Sequence, residues 1–372
     1  MSPSRPFGSH LRGIHPRHPL LAKKRLLTGV LVALALMLVF WLTSCATPDH
    51  HQRDAPRTMR PFLYSPYLYV TLPPQMETPT FMGGVLQPVK SLFGLPGGDF
   101  PSGVPTLTLA FATGECGHER WDDLSASQMV DTQLKKLLKA KIDYVISTGG
   151  ANGVFICSSE QEMEAFIARY ESPQLLGFDF DIEAGQSEEV IHNLVEQIHR
   201  AAQRRPHLRM SFTLAAASGT EPGRTTLNPE GAAVMKSIQR VGLKPYFINL
   251  MVMNFGEAKP GNCVVEGDRC DMAASAMATV RHFAQEYGVP LQQIEITPMI
   301  GVNDAKGNVF TLNDAHQLVR YVHDQGLGGL HFWSLNRDGV CPPGVPALSL
   351  SCHGLPGLSH LAFTRAFAAV AR

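Results

Sequence analysis

The sequence carries no excess of either charge: 32 Lys and Arg stand against 32 Asp and Glu. That leaves no basic face of the kind a dedicated nucleic-acid binder presents. No internal repeat or low-complexity tract is visible, and the 33 Gly and 27 Pro follow no collagen-like period. There is no Cys-x-x-Cys pair, which argues against the common zinc and thioredoxin-like redox arrangements. No glycine-rich dinucleotide fingerprint follows the first predicted strand. What is present is 372 residues, 44% of them hydrophobic. That suffices for one sizeable core, arranged as two ordinary domains or one large α/β barrel.

The first 25 residues hold several Arg, Lys and His, end in Lys23-Lys24-Arg25 and contain no acid. An apolar run from Leu26 to Leu42 follows, then Thr43-Ser44-Cys45. A basic start, an apolar stretch and small residues before a cleavage point describe a secretory signal. Cys45 stands where a bacterial lipobox resembling this one would be cleaved and lipidated. An uncleaved transmembrane anchor is the competing reading, because the run is at the short end of a membrane span. Either places the rest of the chain outside the cytoplasm, and Ala46 points to outer-membrane sorting. The expected product is an exported, membrane-anchored lipoprotein, periplasmic or on the cell surface. Its signal or anchor is residues 1–45, its flexible tether 46–60 and its folded domain 61–372.

Setting Cys45 aside leaves Cys116, Cys157, Cys263, Cys270, Cys341 and Cys352. An even number in an oxidising compartment reads as disulfides, whose connectivity one sequence does not fix. The short spans Cys263–Cys270 and Cys341–Cys352 are the local choices, which leaves Cys116 with Cys157.

From about Tyr64, short apolar runs alternate with amphipathic stretches. Strands are predicted at Tyr67–Leu72, Thr106–Ala112, Tyr144–Ser147, Leu175–Ile182, Arg209–Leu214, Phe247–Met253, Ile294–Met299 and Leu330–Leu335. Helices are predicted at Ser125–Ala140, Ser159–Tyr170, Glu188–Arg204, Glu230–Val241, Met272–Tyr287, Leu312–Gln325 and Gly357–Ala371. Ser159 and Glu162 have capping-box spacing. Alternating strands and helices imply parallel pairing through right-handed crossovers. Eight units fit a single (β/α)8 TIM barrel, with a doubly wound sheet as the alternative. Residues 73–105, rich in Pro and Gly, form an irregular connection.

The most specific signal is Gly177-Phe178-Asp179-Phe180-Asp181-Ile182-Glu183. Alternation puts Phe178, Phe180 and Ile182 on one face and three carboxyls on the other, with Cα atoms roughly 6.5–7 Å apart. In a barrel the apolar face packs on helices, so Asp179, Asp181 and Glu183 project inward. Three acids in a low-dielectric interior cannot all ionise cheaply, and the proton so retained suits a general acid. Glu183 comes last, at the strand end where barrel enzymes do their chemistry. No His or further acid has a forced place beside the three, so no metal and no cofactor is expected.

The segment resembles the Asp-x-x-Asp-x-Asp-x-Glu signature of glycoside hydrolase family 18, with Leu176 in place of the first Asp. Four more segments resemble the family in order. They are Ser147-Thr148-Gly149-Gly150, Met251-Val252-Met253-Asn254-Phe255-Gly256, Thr297-Pro298-Met299-Ile300-Gly301-Val302-Asn303-Asp304 and Phe332-Trp333-Ser334-Leu335-Asn336-Arg337-Asp338. The resemblance implies hydrolysis of β-1,4 N-acetylglucosamine linkages in chitin or chito-oligosaccharides, with the substrate's acetamide as nucleophile. It implies Glu183 as acid and base, Asp181 on the acetamide N–H, and Asp179 sharing a proton with Asp181. Trp333 is the implied floor beneath the sugar, and Met251, Met253, Asn254 and Gly150 are further substrate contacts. An endo-β-N-acetylglucosaminidase acting on N-glycans and a non-hydrolysing chitin-binding lectin are the alternatives.

The departures bear on rate. The family's Tyr falls on Met253 and its Asp on Asn254, while Phe255 also lacks a hydroxyl. Met251 and Met253 read equally as barrel packing. Glu115, Trp121 and Asp122 are placed on the rim, as sugar contacts or as a solvated loop. The chain ends with the last barrel helix and shows no separate carbohydrate-binding module, so poor binding to crystalline chitin is expected.

Overall fold

Proline and the alternation of apolar residues set how the barrel closes. The structure, a computed structural model, describes residues 61–71 and 106–371 apart from positions 220 and 222. The expected signal or anchor, Cys45, the tether and the 73–105 connection lie outside the described residues. Among the described residues no helix is long and apolar enough to cross a membrane.

Nine strand segments form one parallel sheet. They are β1 (Leu63–Tyr64), β2 (Tyr67–Tyr69), β3 (Leu107–Ala112), β4 (Tyr144–Gly149), β5 (Leu175–Asp181), β6 (Arg209–Ala215), β7 (Phe247–Met251), β8 (Ile294–Thr297) and β9 (Gly329–Leu330). Their order is β1-β9-β8-β7-β6-β5-β4-β3-β2. The predicted first strand, Tyr67–Leu72, is seen as Tyr67–Tyr69, and an unpredicted half, Leu63–Tyr64, precedes it across Ser65-Pro66, where proline has no N–H to give a ladder. The run still bridges both neighbours. Tyr67 N donates to Phe332 O at 3.1 Å, and Thr108 N donates to Pro66 O at 3.0 Å. One interrupted strand thus joins the two ends of the sheet, and the architecture is the (β/α)8 barrel rather than a doubly wound sheet.

Helices follow the strands: α1 (Ala126–Met129), a π-helical segment Val130–Leu134, α2 (Lys135–Ala140), α3 (Glu160–Tyr170), α4 (Glu188–Arg204), α5 (Pro229–Val241), α6 (Met272–Tyr287), α7 (Leu312–Gln325) and α8 (Ala362–Phe367). Full capping boxes open α1, from Ser125 and Gln128, and α7, from Thr311 and Asp314. At Ser159 the box is half made. Its hydroxyl accepts from Glu162 N but donates to the Glu162 carboxylate at 2.7 Å, so that carboxylate does not reach back to the backbone. The last helix is shorter than expected, because Asp338 accepts from Phe363 N and Thr364 N and so fixes its start.

The outward face of β5 packs as its sequence demands. Phe178 lies 5.2 Å from the Phe166 ring of α3, and Phe180 lies 5.7 Å from Phe212 of β6. Inside the barrel the lowest layer is polar. Arg209 Nε donates to Glu295 at 2.7 Å, and His331 sits between Glu295 at 3.3 Å and Ser65 O at 2.9 Å. Burial works to raise the Glu295 pKa, but the Arg209 charge and the His331 hydrogen bond outweigh it and hold it at about 2.

Candidate active site

The middle layer of the barrel is a cradle of hydroxyls around Asp179. Tyr67 donates to its carboxylate at 2.9 Å, Ser147 at 2.7 Å, Ser211 at 3.0 Å and Thr213 at 2.7 Å. The donors sit at inward positions of three strands, Tyr67 on β2, Ser147 on β4, and Ser211 and Thr213 both on β6. Asn249 of β7 extends the network, donating to both Tyr67 Oη and Thr213 Oγ1. Burial raises the Asp179 pKa, and the four hydroxyls oppose that by favouring the anion.

One step up the same strand is Asp181, 4% exposed. Its Oδ1 is buried and takes no hydrogen bond from the described residues. Burial first, then the charges of Glu183 and Asp179, push its pKa well above the ordinary value. Glu183, just past the strand end and half-buried, is also raised, by burial. The expected proton shared between Asp179 and Asp181 has no hydrogen bond to carry it here, since the Asp179 oxygens are taken by hydroxyls. The three acids otherwise lie where alternation placed them.

The neighbouring glycines make this geometry possible. Gly149 pairs with Asp181 in the sheet, has φ +83°, and a Cβ there would stand 2.0 Å from Asp181 O. Gly150 N donates to the same oxygen at 3.1 Å. Gly150 was expected as a substrate contact. It is Gly149 that lines the cleft, while a Cβ on Gly150 would press on the Phe111 ring at 3.0 Å.

A cleft of about 480 Å³ opens above Asp181 and Glu183. Trp333 forms part of its wall, stacked on Phe111 at 5.5 Å and 17°, with the Tyr67 and Tyr69 rings 6.0 and 6.2 Å away. Met251, Met253 and Met299 line the side given by β7 and β8. Asn254, at φ +49°, ties the two exit loops together. Its Nδ2 donates to Asp304 Oδ2 at 2.9 Å and its Oδ1 accepts from Asp304 N at 2.9 Å. Phe255 turns away into the core, with its N–H on Asn308 Oδ1, so the position lacking a hydroxyl in the cleft is Met253.

Sequence reasoning passed over Tyr67, Tyr69, Phe111 and Asp304. The spacing of Tyr67 and Tyr69 was the available signal for the first two. Trp121 is neither a sugar contact nor solvated: it is fully buried, its indole N–H donating to Tyr170 Oη at 2.9 Å. Asp122 does line the cleft, and Glu115 is exposed outside it. The three disulfides are Cys116–Cys157, Cys263–Cys270 and Cys341–Cys352, all in loops beyond the C-terminal ends of strands. Among the described residues no group of three or more His, Cys, Asp or Glu is placed to hold a metal ion.

No family model matches the chain. It is 29% identical over 242 residues, 60% of the chain, to a probable bifunctional chitinase/lysozyme of Escherichia coli (strain K12). Over 225 residues it is 28% identical to endochitinase 11 of Metarhizium anisopliae. The chain spans 26% and 42% of the lengths of these relatives. Among solved structures, the catalytic domain of a hyperthermophilic chitinase from Pyrococcus furiosus matches with a TM-score of 0.63 and 25% identity, covering 85% of this chain and 98% of that one. Catalytic-site mutants of active domain 2 of the thermostable Pyrococcus furiosus chitinase, complexed with chito-oligosaccharides, match with the same TM-score at 24% identity, covering 85% of this chain and 96% of that one. The chain is thus similar in sequence to chitinases and in fold to a chitinase catalytic domain.

Proposed function

We propose that this chitinase-like barrel hydrolyses β-1,4 linkages between N-acetylglucosamine units of chitin or chito-oligosaccharides, with retention, using the substrate's acetamide as nucleophile. The observation that carries the proposal is the buried, unpartnered Oδ1 of Asp181 between Asp179 and Glu183. A buried acceptor without a donor is costly. The N–H of a 2-acetamido group supplies that donor and is thereby oriented, with its carbonyl oxygen turned towards the anomeric carbon.

Glu183, holding its proton through burial, gives it to the glycosidic oxygen as the bond to the leaving sugar breaks. The acetamide oxygen forms the new bond to the anomeric carbon, and the ring so formed carries positive charge that Asp181 faces. Glu183, now a carboxylate, takes a proton from water as the water opens that ring, and the original configuration is restored. Asp179 is fixed beneath Asp181 by four hydroxyls, which favour its anion against the effect of burial. Trp333 gives the sugar an apolar face to lie on. Met253 offers no hydroxyl to the acetamide oxygen, and losing one such bond costs about 3 kcal/mol at a transition state, which predicts a slow enzyme.

The test compares the parent with Glu183→Gln and Asp181→Asn on N-acetylglucosamine hexamer, following the anomer of the first products. The parent is expected to release β-anomers, and each variant to lose about 10²–10⁴ in kcat. Full turnover by Glu183→Gln, or α-anomeric products, would sink the mechanism. Export is part of the same proposal: three disulfides persist in an oxidising compartment, and free thiols at those six positions in protein taken from cells would count against it.

A further inference from the structure

The chain beyond Trp333 carries a buried cation that the proposed chemistry does not use. Arg337 is 1% exposed, closes the short 3-10 turn Leu335–Arg337 and takes no part in lining the cleft. Among the described residues no carboxylate pairs with its guanidinium. Asp304 reaches it only through its field, and burial draws its pKa down to about 10. A buried charge without a counter-ion is costly, so the bonds made in exchange show what it holds. Nη2 donates to Ile300 O at 3.2 Å and to Val302 O at 2.6 Å, and Nη1 donates to Ser349 O. One planar fork thereby joins two stretches of chain.

The first stretch is anchored. Ile300 N donates to Trp333 O at 3.0 Å and Trp333 N to Pro298 O at 2.9 Å, which fixes the exit of β8 to the Trp333 backbone. The second stretch belongs to the loop closed by the Cys341–Cys352 disulfide. Val345 N donates to Pro342 O and Ser351 N to Ser349 Oγ, bonds that stay inside the loop, whereas the bond from Arg337 runs from barrel to loop. Leu350 follows the carbonyl so held. It lines the cleft and is 49% exposed. An apolar side chain kept half in water gains when an apolar surface covers it, and the C–H face of a sugar ring is such a surface.

Resting on the hydrolytic reading above, we propose that Arg337 is a positioning residue for saccharide binding: it never meets substrate, and it holds Ser349 O so that Leu350 stands against the bound sugar chain. Contact with C–H surface does not change as charge develops at the anomeric carbon. Losing it weakens ground state and transition state alike, which raises KM and leaves kcat near its parent value. A lysine ammonium, a point donor on a flexible stem, does not reproduce the fork that spans both stretches.

The experiment measures kcat and KM on N-acetylglucosamine hexamer for the parent, Arg337→Met, Leu350→Ala and the double variant, with melting curves taken alongside. Each single variant is expected to raise KM about fivefold, with kcat within about twofold of the parent. The double variant is expected to add nothing to Arg337→Met, because both changes remove the same contact. A fall in kcat at unchanged KM is what a merely structural arginine gives, and it overturns the proposal. So do additive effects, or an unchanged KM in Leu350→Ala. Should Arg337→Met fail to fold, Arg337→Lys takes its place in the same cycle, with a smaller rise in KM expected. A parent that does not cleave the hexamer brings down the hydrolytic reading instead, and calorimetric Kd values for the hexamer then close the cycle. Non-additive weakening upholds the role of Arg337; additive weakening, unchanged affinity or no binding by the parent overturns it.

Discussion

At the scale of the residue, Asp181 sets function against stability. Its folded-state pKa stands well above the ordinary 3.8, so the native protein holds a proton that the unfolded chain gives up. The stability linked to that proton is fully present below about pH 3.8 and is lost as pH rises through the native value. Asp181→Asn keeps the shape and removes the ionisation. The variant, which the proposed mechanism makes inactive, is expected to melt about 2–4 °C above the parent near neutrality, with the gap closing in acid. Melting curves across pH check this, and a gap that does not depend on pH would refute the assignment. Met253 and Phe255 teach the complementary lesson. Both break the family pattern in sequence, but only the left-handed turn at Asn254 decides that Met253 faces the cleft and Phe255 the core.

Among the elements, β4 and β5 hold the site, and their contact tolerates no side chain at Gly149. Gly149→Ala places a methyl in hard steric clash, 2.0 Å from Asp181 O, at a φ that L residues rarely adopt. A loss of about 2 kcal/mol or more in a urea melt is expected, together with most of the turnover; normal values for both would show that the strands yield freely. The three carboxyls were legible because apolar and acidic residues alternate strictly from Phe178 to Glu183. Phe111 was not. It lies in the run Leu107–Ala112, which is apolar at nearly every position, and a strand buried on both faces shows no alternation to say which side faces in. Tyr67 was obscured by Ser65-Pro66, which broke its strand, and Trp121 by a rim loop that folds down onto Tyr170. Asp122 and Asp304 lie in loops, where periodicity says nothing.

For the molecule as a whole, acid resistance depends on the floor of the barrel. Glu295, held at about 2 against an ordinary 4.5, favours the folded state above pH 4.5, and that contribution is lost as pH falls towards 2. Equilibrium unfolding should show it as about 3 kcal/mol at most, absent in Glu295→Gln; equal acid sensitivity in the two proteins would place the loss elsewhere. The interrupted first strand has a consequence for the chain in the cell and in the tube. Leu63–Tyr69 is all that separates β3 from β9. A protease cut or an ill-chosen truncation that removes it would bare two rows of unpaired backbone groups, each a template for another copy of the chain. It would also withdraw Tyr67 from Asp179, so a shortened protein would polymerise through its open sheet and lose its acid cradle together.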